Sequence, residues 1–359
     1  MKPEKIACYL LDAPNQLTLA TRELPTLRAN EALVEVAGCG VCHTDIGFWA
    51  EGVRPKHPLP LTLGHEIAGH VVDAGETARP WIGRSVVVAA VTPCGECALC
   101  RSGRASVCRA QVFVGSDVHG GFASHVVVPA RGLAAVDIER MKQTGTTLAS
   151  LGVVADAVAT AYQAIVRAGM RQGDLAIFVG AGGVGGFGVQ IARALGAHAV
   201  AIDVDDERLS KISERGAELT LNPKGLDAKD VRKKIGAVAK ERAWPDISWK
   251  IFETSGSAPG QELAYSLIGF DSNLSIVGYT LDRVTVRLSN LMAFHATAQG
   301  NWGCVPEHFD EVLELVTSGR VKVTPFVEER PMSRIVETFH EIKEKTLKLR
   351  PVLVPDFQN

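Results

Sequence analysis

A glycine-rich turn joins a run of buried-strand residues to a helical segment. Residues 175–179 read Leu-Ala-Ile-Phe-Val, and residues 180–185 read Gly-Ala-Gly-Gly-Val-Gly. The spacing of Gly180, Gly182 and Gly185 allows a tight turn, close approach of a pyrophosphate and tight packing of a helix on a strand. The helix N-terminus, which includes Val184, stabilises an anion. This turn predicts a dinucleotide-binding fold, and a glycine turn in some other α/β fold is the alternative.

Strand-like and helix-like segments alternate around this turn, from residue 175 to residue 277. Such alternation implies parallel strand pairing and therefore an α/β, doubly wound parallel sheet. The predicted strands are 175–179, 199–203, 218–221, 249–253 and 273–277, and the predicted helices are 184–195, 207–215, 228–242 and 260–268.

The second predicted strand ends at Asp203. A carboxylate at this place accepts hydrogen bonds from the ribose hydroxyls of the cofactor and repels a 2′-phosphate, which favours NAD over NADP. Arg208 lies in the same turn. It is a candidate contact to the adenosine, and an exposed helix charge is the alternative interpretation.

Short β-like runs separated by Gly and Pro occupy the first 150 residues and predict a barrel-like, all-β lobe. The runs are 32–36, 67–72, 85–91 and 123–128. Beyond a helical pattern at 148–168 and the α/β region, the tail predicts further elements. These are a helix at 306–318, a strand at 321–327, a helix at 333–345 and an apolar run at 352–354.

Charge and hydropathy exclude several classes of protein. The chain has 359 residues and a formal net charge of −2, which argues against a nucleic-acid-coating or zinc-ribbon nucleic-acid-binding protein. There is no run of 18 apolar residues, and the segment Met1–Lys5 lacks the apolar stretch of a signal peptide. We expect a cytoplasmic protein with neither a membrane nor a nucleic-acid partner.

Four of the eight cysteines form one close-spaced cluster. Cys94, Cys97, Cys100 and Cys108 are separated by two, two and seven residues. Four thiolates at this spacing suit a closed, tetrahedral structural zinc site. An iron–sulfur cluster and disulfide bonding are the alternatives.

A second group of potential ligands lies on two short segments. Residues 40–45 read Gly-Val-Cys-His-Thr-Asp, and Gly64-His65-Glu66 follows further along the chain. A thiolate from Cys42 and an imidazole from His65 are good zinc ligands, and Asp45 offers a carboxylate for the second ring nitrogen of the histidine. The hydroxyl of Thr44 is placed to carry a proton from a substrate alcohol. Taken singly, the cysteine and the histidine have ordinary structural interpretations.

The order of these parts resembles the zinc-dependent medium-chain alcohol dehydrogenase family over essentially the whole chain. The resemblance rests on residues 40–45 and 64–66, the four-cysteine cluster, and Gly180–Gly185 with Asp203. It implies a GroES-like catalytic domain at 1–155, an NAD-binding Rossmann domain at 156–297, and a segment at 298–359 that returns to the catalytic domain. It also implies an active site in the cleft between the domains and a homotetramer or homodimer.

Roles for single residues follow from the same resemblance. Cys42 and His65 would bind a catalytic zinc, with Glu66 as a nearby or transient ligand. Thr44 would accept the first proton, and Asp45 would orient His65. The remaining implied cofactor contacts are His43 and Arg350 at the pyrophosphate, and Thr160, Val277 and Gly278 at the nicotinamide.

Two positions depart from the family pattern. Many relatives carry a third cysteine ligand just before a Thr-x-Tyr, where this chain has Asp156 ahead of Thr160-Ala-Tyr162. A carboxylate is an acceptable zinc ligand, and in a helix it would share a face with Thr160. Many relatives also carry a histidine as the last proton relay, where this chain has Gly47.

Several further stretches are similar to the subfamily that oxidises the ring hydroxyl of 6-hydroxycyclohex-1-ene-1-carbonyl-CoA in anaerobic benzoyl-CoA degradation. This likeness implies an acyl-CoA substrate, with NAD and two zinc ions per chain as cofactors. The stretches are 45–49, 53–60, 249–256, 287–294 and 300–306. A dehydrogenase for another secondary alcohol or a polyol is the alternative, and a non-catalytic protein with the same fold is a third possibility.

Overall fold

The structure is a computed structural model that describes residues 3–357. Met1 and Lys2, in the N-terminal segment that lacks the apolar stretch of a signal peptide, lie outside the described residues. The chain divides into two compact units: one runs to Ala159 and resumes at Gly303, and the other is Thr160–Trp302. The predicted domain boundaries, after residues 155 and 297, lie four and five residues before these limits.

The strands are short in both units, and they are numbered in chain order. They are β1 Lys5–Ala13, β2 Gln16–Glu23, β3 Glu31–Gly40, β4 Glu66–Ala74, β5 Ser85–Val88, β6 Val91–Thr92, β7 Val112–Phe113, β8 His125–Pro129, β9 Leu133–Ala135, β10 Leu175–Val179, β11 His198–Ile202, β12 Leu219–Leu221, β13 Lys250–Glu253, β14 Asn273–Ile276, β15 Thr297–Gly300, β16 Val327–Pro331 and β17 Arg350–Val354.

The α-helices are numbered in the same way. They are α1 His43–Ala50, α2 Ala98–Arg101, α3 Ile138–Gln143, α4 Ala157–Arg167, α5 Gly183–Ala194, α6 Asp206–Ser213, α7 Ala228–Glu241, α8 Ala258–Ser266, α9 Ser289–Ala293, α10 Phe309–Thr317 and α11 Ile335–Lys343. Within the described part of the chain, no helix is both long and apolar enough to cross a membrane.

The first unit is built on a largely antiparallel sheet. Its strand order is β16-β17-β3-β4-β5-β9, and β8 also pairs with β3. Strand β17 runs antiparallel to β3, with Val352 opposite Gly40, so the end of the chain completes the sheet begun at its start. The core of this unit includes the fully buried side chains of Trp49, Phe122 and Phe339.

The second unit contains a six-stranded sheet in which every neighbouring pair is parallel, in the order β12-β11-β10-β13-β14-β15. All five residues of β10 are buried, as expected for a central strand covered on both faces. The connections leave β10 towards β11 on one side and β13 on the other, which confirms the predicted doubly wound topology. In such sheets ligands bind outside the carboxyl ends of the strands, where the order reverses.

Two sequence predictions of elements differ from the structure, and several elements, among them β1, β2 and β15, were not predicted. The helical pattern at 148–168 is a 3₁₀ turn, Ser150–Ala155, followed by α4, and Asp156 lies between them with φ −133° and ψ −68°. The strand expected at 321–327 begins only at Val327, because Thr324–Phe326 forms a 3₁₀ turn around Pro325, which has no N–H to pair. Strand β15 was missed, because its residues are polar or small and mostly exposed.

Candidate active site

Three potential ligands from distant parts of the chain converge in the first unit. Cys42 caps the N-terminus of α1, His65 immediately precedes β4, and Asp156 immediately precedes α4. The ligand atoms of the three side chains all lie within 4.8 Å of one another. Asp156 Oδ2 is 3.6 Å from Cys42 Sγ and 3.6 Å from His65 Nε2. Sequence spacing alone did not show this proximity.

These separations fit a single tetrahedral zinc ion. Metal–ligand bonds of about 2.0–2.3 Å at the tetrahedral angle place two ligand atoms about 3.3–3.8 Å apart. The electrostatics agree with the geometry. Burial lowers the pKa of His65, but Asp45, Asp156 and Cys42 together raise that pKa well above its usual value. The site therefore stabilises a positive charge.

Asp45 connects the two ligand-bearing segments. It is fully buried; its Oδ2 accepts a hydrogen bond from the backbone N–H of Cys42 at 2.9 Å, and its Oδ1 accepts one from Gly64 at 3.1 Å. The same Oδ1 lies 3.5 Å from His65 Nδ1, beside the ring nitrogen that a carboxylate contacts when it orients a ligating imidazole, although the two atoms do not form a hydrogen bond of good geometry.

The first turn of α1 supplies the other polar groups near the triad. The hydroxyl of Thr44 lies 3.7 Å from Cys42 Sγ. His43 is exposed, and its Nε2 is 3.5 Å from a carboxylate oxygen of Glu51. Gly47 is buried and offers no side-chain group. The chain thus has a hydroxyl beside the triad and a histidine–glutamate pair on the exposed side of the helix.

Glu66 and Arg350 form a buried ion pair next to the triad. Arg350 donates from Nε to Glu66 Oε2 at 2.8 Å and from Nη2 to Oε1 at 2.6 Å, and the N–H of Ala157 also donates to Oε1 at 3.2 Å. Burial raises the pKa of Glu66, and Arg350 opposes this rise. Glu66 was predicted as a nearby ligand and Arg350 as a pyrophosphate contact. Their pairing was not predicted, and the two residues are 284 residues apart in the chain.

The four-cysteine cluster closes around one point. The Sγ–Sγ distances are 3.5 Å for Cys94–Cys108 and Cys97–Cys100, 3.8 Å for Cys97–Cys108 and 3.9 Å for Cys94–Cys100. A tetrahedral zinc with four thiolates places them about 3.8 Å apart. A hydrogen bond from the backbone of Cys100 lowers the pKa of Cys97 to about 6, whereas burial raises the pKa of Cys100 to about 12.

The alternatives for this cluster fit less well. All eight cysteines lie in the described part of the chain, and none of them is in a disulfide. An iron–sulfur cluster places several atoms between its cysteines, and sulfurs this close leave room at their centre for one ion only.

The glycine-rich turn follows β10, as predicted. A Cβ on Gly185 would overlap the carbonyl oxygen of Gly180, and a Cβ on Gly180 would lie 2.6 Å from the backbone nitrogen of Ser255. A Cβ on Gly182 would meet no atom within 4 Å. Gly182 is the N-cap of α5, and the half-buried Val184 lies in the first turn of that helix. The turn therefore leaves open space over a helix N-terminus, as a bound pyrophosphate requires.

Asp203 directly follows β11 and faces this turn. Its Oδ2 accepts a hydrogen bond from Ala181 at 2.7 Å, and its Oδ1 accepts one from Asp205 at 2.9 Å. The half-exposed guanidinium of Arg208 lies 4.0 Å from the same carboxylate. Asp203 lies at the carboxyl end of β11, where a dinucleotide would bind, and Arg208 lies in the first turn of α6 beside it.

The remaining predicted cofactor residues also lie in the second unit. Val277 and Gly278 follow β14, and their backbone N–H groups donate to the carbonyl oxygen of Glu253 at 2.9 and 3.0 Å. Thr160 is buried, and its carbonyl oxygen accepts a hydrogen bond from Asn301. Glu253 was not predicted as a functional residue, since, unlike Asp203, it does not end the strand that follows the glycine-rich turn.

Comparisons with known proteins agree with this arrangement. Residues 28–138 match the alcohol dehydrogenase GroES-like domain, and residues 183–318 match the zinc-binding dehydrogenase family. Together the two matches cover more than half of the chain.

Similar proteins span nearly the whole length. An alcohol dehydrogenase of Geobacillus stearothermophilus is 28% identical over 93% of this chain and 95% of its own. The L-galactonate-5-dehydrogenase of Escherichia coli is 26% identical over 91% and 92%. An alcohol dehydrogenase structure from Thermotoga maritima superposes with a TM-score of 0.86, at 25% identity, over 98% of this chain and 100% of that one. The chain therefore belongs to the zinc-dependent medium-chain alcohol dehydrogenase family of enzymes.

Proposed function

We propose that this enzyme oxidises a secondary alcohol to a ketone with NAD as the hydride acceptor. The proposal depends on one observation above all: Cys42 Sγ, His65 Nε2 and Asp156 Oδ2 converge within 4.8 Å beside the hydroxyl of Thr44. Three protein ligands with a fourth position left for a substrate are typical of catalytic zinc sites. Asp156 is thus proposed as the third ligand, in preference to Glu66, whose oxygens face Arg350 and Ala157.

The residues around the triad have separate roles in the proposed reaction. A zinc ion held by the triad would act as a Lewis acid and lower the pKa of the substrate hydroxyl. The Thr44 hydroxyl accepts the proton that the substrate hydroxyl loses and releases its own proton towards solvent, while the hydride passes to NAD. Asp45 fixes the start of α1 and orients the His65 ring beside it. The Glu66–Arg350 pair links β17 to the start of β4, next to the triad.

The second unit is proposed to bind NAD. Gly180, Gly182 and Gly185 admit the pyrophosphate, and Asp203 accepts hydrogen bonds from the ribose and rejects a 2′-phosphate. The four cysteines at 94, 97, 100 and 108 are proposed to hold a second, structural zinc with no open position.

For the substrate we propose 6-hydroxycyclohex-1-ene-1-carbonyl-CoA, with the 6-oxo compound as the product. Sequence likeness supports this choice. So does the exposed side chain of Arg54 in the loop after α1, whereas Lys56 of the same loop is paired with Asp117 at 3.3 Å. The product ketone is conjugated with the ring alkene, which favours oxidation. We further propose a cytoplasmic homotetramer or homodimer that binds neither nucleic acid nor membrane.

A turnover assay tests the proposal. NAD reduction is followed with the hydroxycyclohexenecarbonyl-CoA ester, with free cyclohexenol, and with a polyol. We expect fast turnover of the CoA ester and little of free cyclohexenol. Equal or faster turnover of simple alcohols or polyols would contradict the CoA ester as the substrate and would leave the proposal of a general alcohol dehydrogenase. If no alcohol is oxidised with NAD, both the CoA-ester substrate and the general dehydrogenase activity are contradicted.

A further inference from the structure

Glu253, the last residue of β13, is a buried carboxyl with one oxygen unused. It has no exposed surface, and burial raises its pKa. Oε1 accepts hydrogen bonds from the backbone of Ser255 at 2.8 Å, from the hydroxyl of Ser255 at 2.6 Å and from the backbone of Gly256 at 3.2 Å. Oε2 accepts none. The nearby amide of Gln261 is directed at the carbonyl oxygen of Gly278, at 3.5 Å.

The same residue holds a second loop through its main chain. The carbonyl oxygen of Glu253 accepts hydrogen bonds from Val277 and Gly278, at the end of β14. A Cβ on Gly278 would overlap the backbone nitrogen of Gly256 and would lie 2.8 Å from Glu253 Oε2. The loops after β13 and β14 therefore meet backbone to backbone, and the Glu253 carboxyl fills the space between them.

The position of these loops in the sheet defines what they would contact. Strands β13 and β14 lie on one side of β10, and β11, which leads to Asp203, lies on the other. A dinucleotide bound across the carboxyl ends with one half at Asp203 places its other half over β13 and β14. Loops at this edge then contact the nicotinamide half.

We infer that Glu253 is a positioning residue for the nicotinamide half of NAD, because its carboxyl holds the loop 254–256, against which its main-chain carbonyl holds Val277–Gly278. This inference rests on the proposed use of NAD. The adenosine half depends on other contacts. The hydroxyl of Thr254 donates to the carbonyl oxygen of Gly180 at 2.7 Å in a hydrogen bond that does not involve the Glu253 carboxyl, and Asp203 lies beyond the glycine turn.

The test compares two ligands that share the adenosine half. Dissociation constants for NADH and for ADP-ribose, which lacks the nicotinamide, are measured by titration calorimetry on the full chain and on Glu253→Ala. Glu253→Ala leaves the N–H groups of Ser255 and Gly256 and the hydroxyl of Ser255 without their carboxylate acceptor. We expect NADH binding to weaken about ten-fold and ADP-ribose binding to stay within about two-fold, because the loss of these hydrogen bonds acts on one half only.

Two further variants separate positioning from general stability. Glu253→Gln keeps an oxygen for Ser255 and Gly256, so NADH affinity should return to within about two-fold of the parent. Ser275→Ala removes another buried polar group of the same sheet, at β14, and should leave both affinities unchanged. If Glu253→Ala does not fold, Glu253→Met replaces it, because methionine keeps the volume of the side chain and removes both oxygens, and the same pattern is expected.

The outcomes are distinct. Equal weakening of NADH and ADP-ribose, or no weakening of either, in the Glu253→Ala or Glu253→Met variant overturns the positioning role and leaves the proposed function intact. Failure of the parent chain to bind NADH overturns the proposed use of NAD, and the inference with it.

Discussion

Asp156 Oδ2 lies 3.6 Å from Cys42 Sγ, although 114 residues separate the two in the chain. Asp156 is one-fifth exposed in a segment that is otherwise buried, and His65 lies at the same distance from its carboxylate. A thiolate and a carboxylate this close repel each other unless a cation or a proton lies between them. The relationship is the basis of the proposed catalytic zinc site.

Replacement of Asp156 tests the third ligand. Asp156→Ala should lose one zinc ion per chain and lower turnover by more than about a hundred-fold, because two protein ligands hold zinc poorly. Asp156→Cys, which supplies a thiolate, should restore zinc binding. Zinc is measured by mass spectrometry, with exposed Asp246→Ala as the control. If Asp156→Ala retains two zinc ions and normal turnover, Asp156 is not a ligand.

The buried pair between Glu66 and Arg350 should be strongly coupled. Arg350→Ala leaves a fully buried carboxylate without its partner, which costs about 3–5 kcal/mol and should lower Tm by at least about 5 °C. The double variant with Glu66→Ala should lose less than the sum of the single variants. Arg131→Ala is the control, because its pair with Glu307 is about half exposed and should contribute little. Strictly additive losses would contradict the coupling.

Cofactor choice should depend on Asp203. Asp203→Ala removes the charge that repels a 2′-phosphate and an acceptor for the ribose. The NAD-to-NADP preference in kcat/KM should therefore narrow by about one to three orders of magnitude. Asp205→Ala is the matched control, because Asp205 caps α6 and its loss should lower stability without changing the preference. An unchanged preference in Asp203→Ala would place the ribose elsewhere.

The basic loop after α1 provides a test of the CoA ester. Reversal of charge at Arg54 and Lys56 should raise KM for the CoA ester and spare KM for NAD, because these side chains would contact the CoA phosphates. Reversal of the exposed pair Lys233 and Lys234, in α7, is the control and should change neither value. Equal effects on both KM values, or no effect on either, would show that the loop does not bind the substrate.

Local patterns predicted most of the fold. Periodicity located β10, β11 and α5 to within one residue, and the glycine spacing predicted the turn between β10 and α5. The cysteine spacing predicted a closed cluster, because four ligands within one short segment converge whatever the rest of the chain does. Such features depend on neighbours in sequence, and a single sequence shows them.

Contacts between distant segments could not be predicted in the same way. Asp156 was expected to share a helix face with Thr160, but it lies before α4 in a non-helical conformation, so that argument was wrong. Its position at the site comes from the turn that ends at Ala155 instead. The pairing of Arg350 with Glu66 and the role of Glu253 depend on how β17 meets β3 and how two loops meet, which no local pattern encodes.

Zinc content tests the central claim most directly. The structure brings together two separate ligand sets, so chain purified without chelator should contain two zinc ions by inductively coupled plasma mass spectrometry. Mild chelation should remove one of them together with NAD-dependent alcohol oxidation, while the closed four-cysteine site keeps the other. One zinc ion or none in the untreated protein, or full activity after the loss of the first ion, would contradict the account.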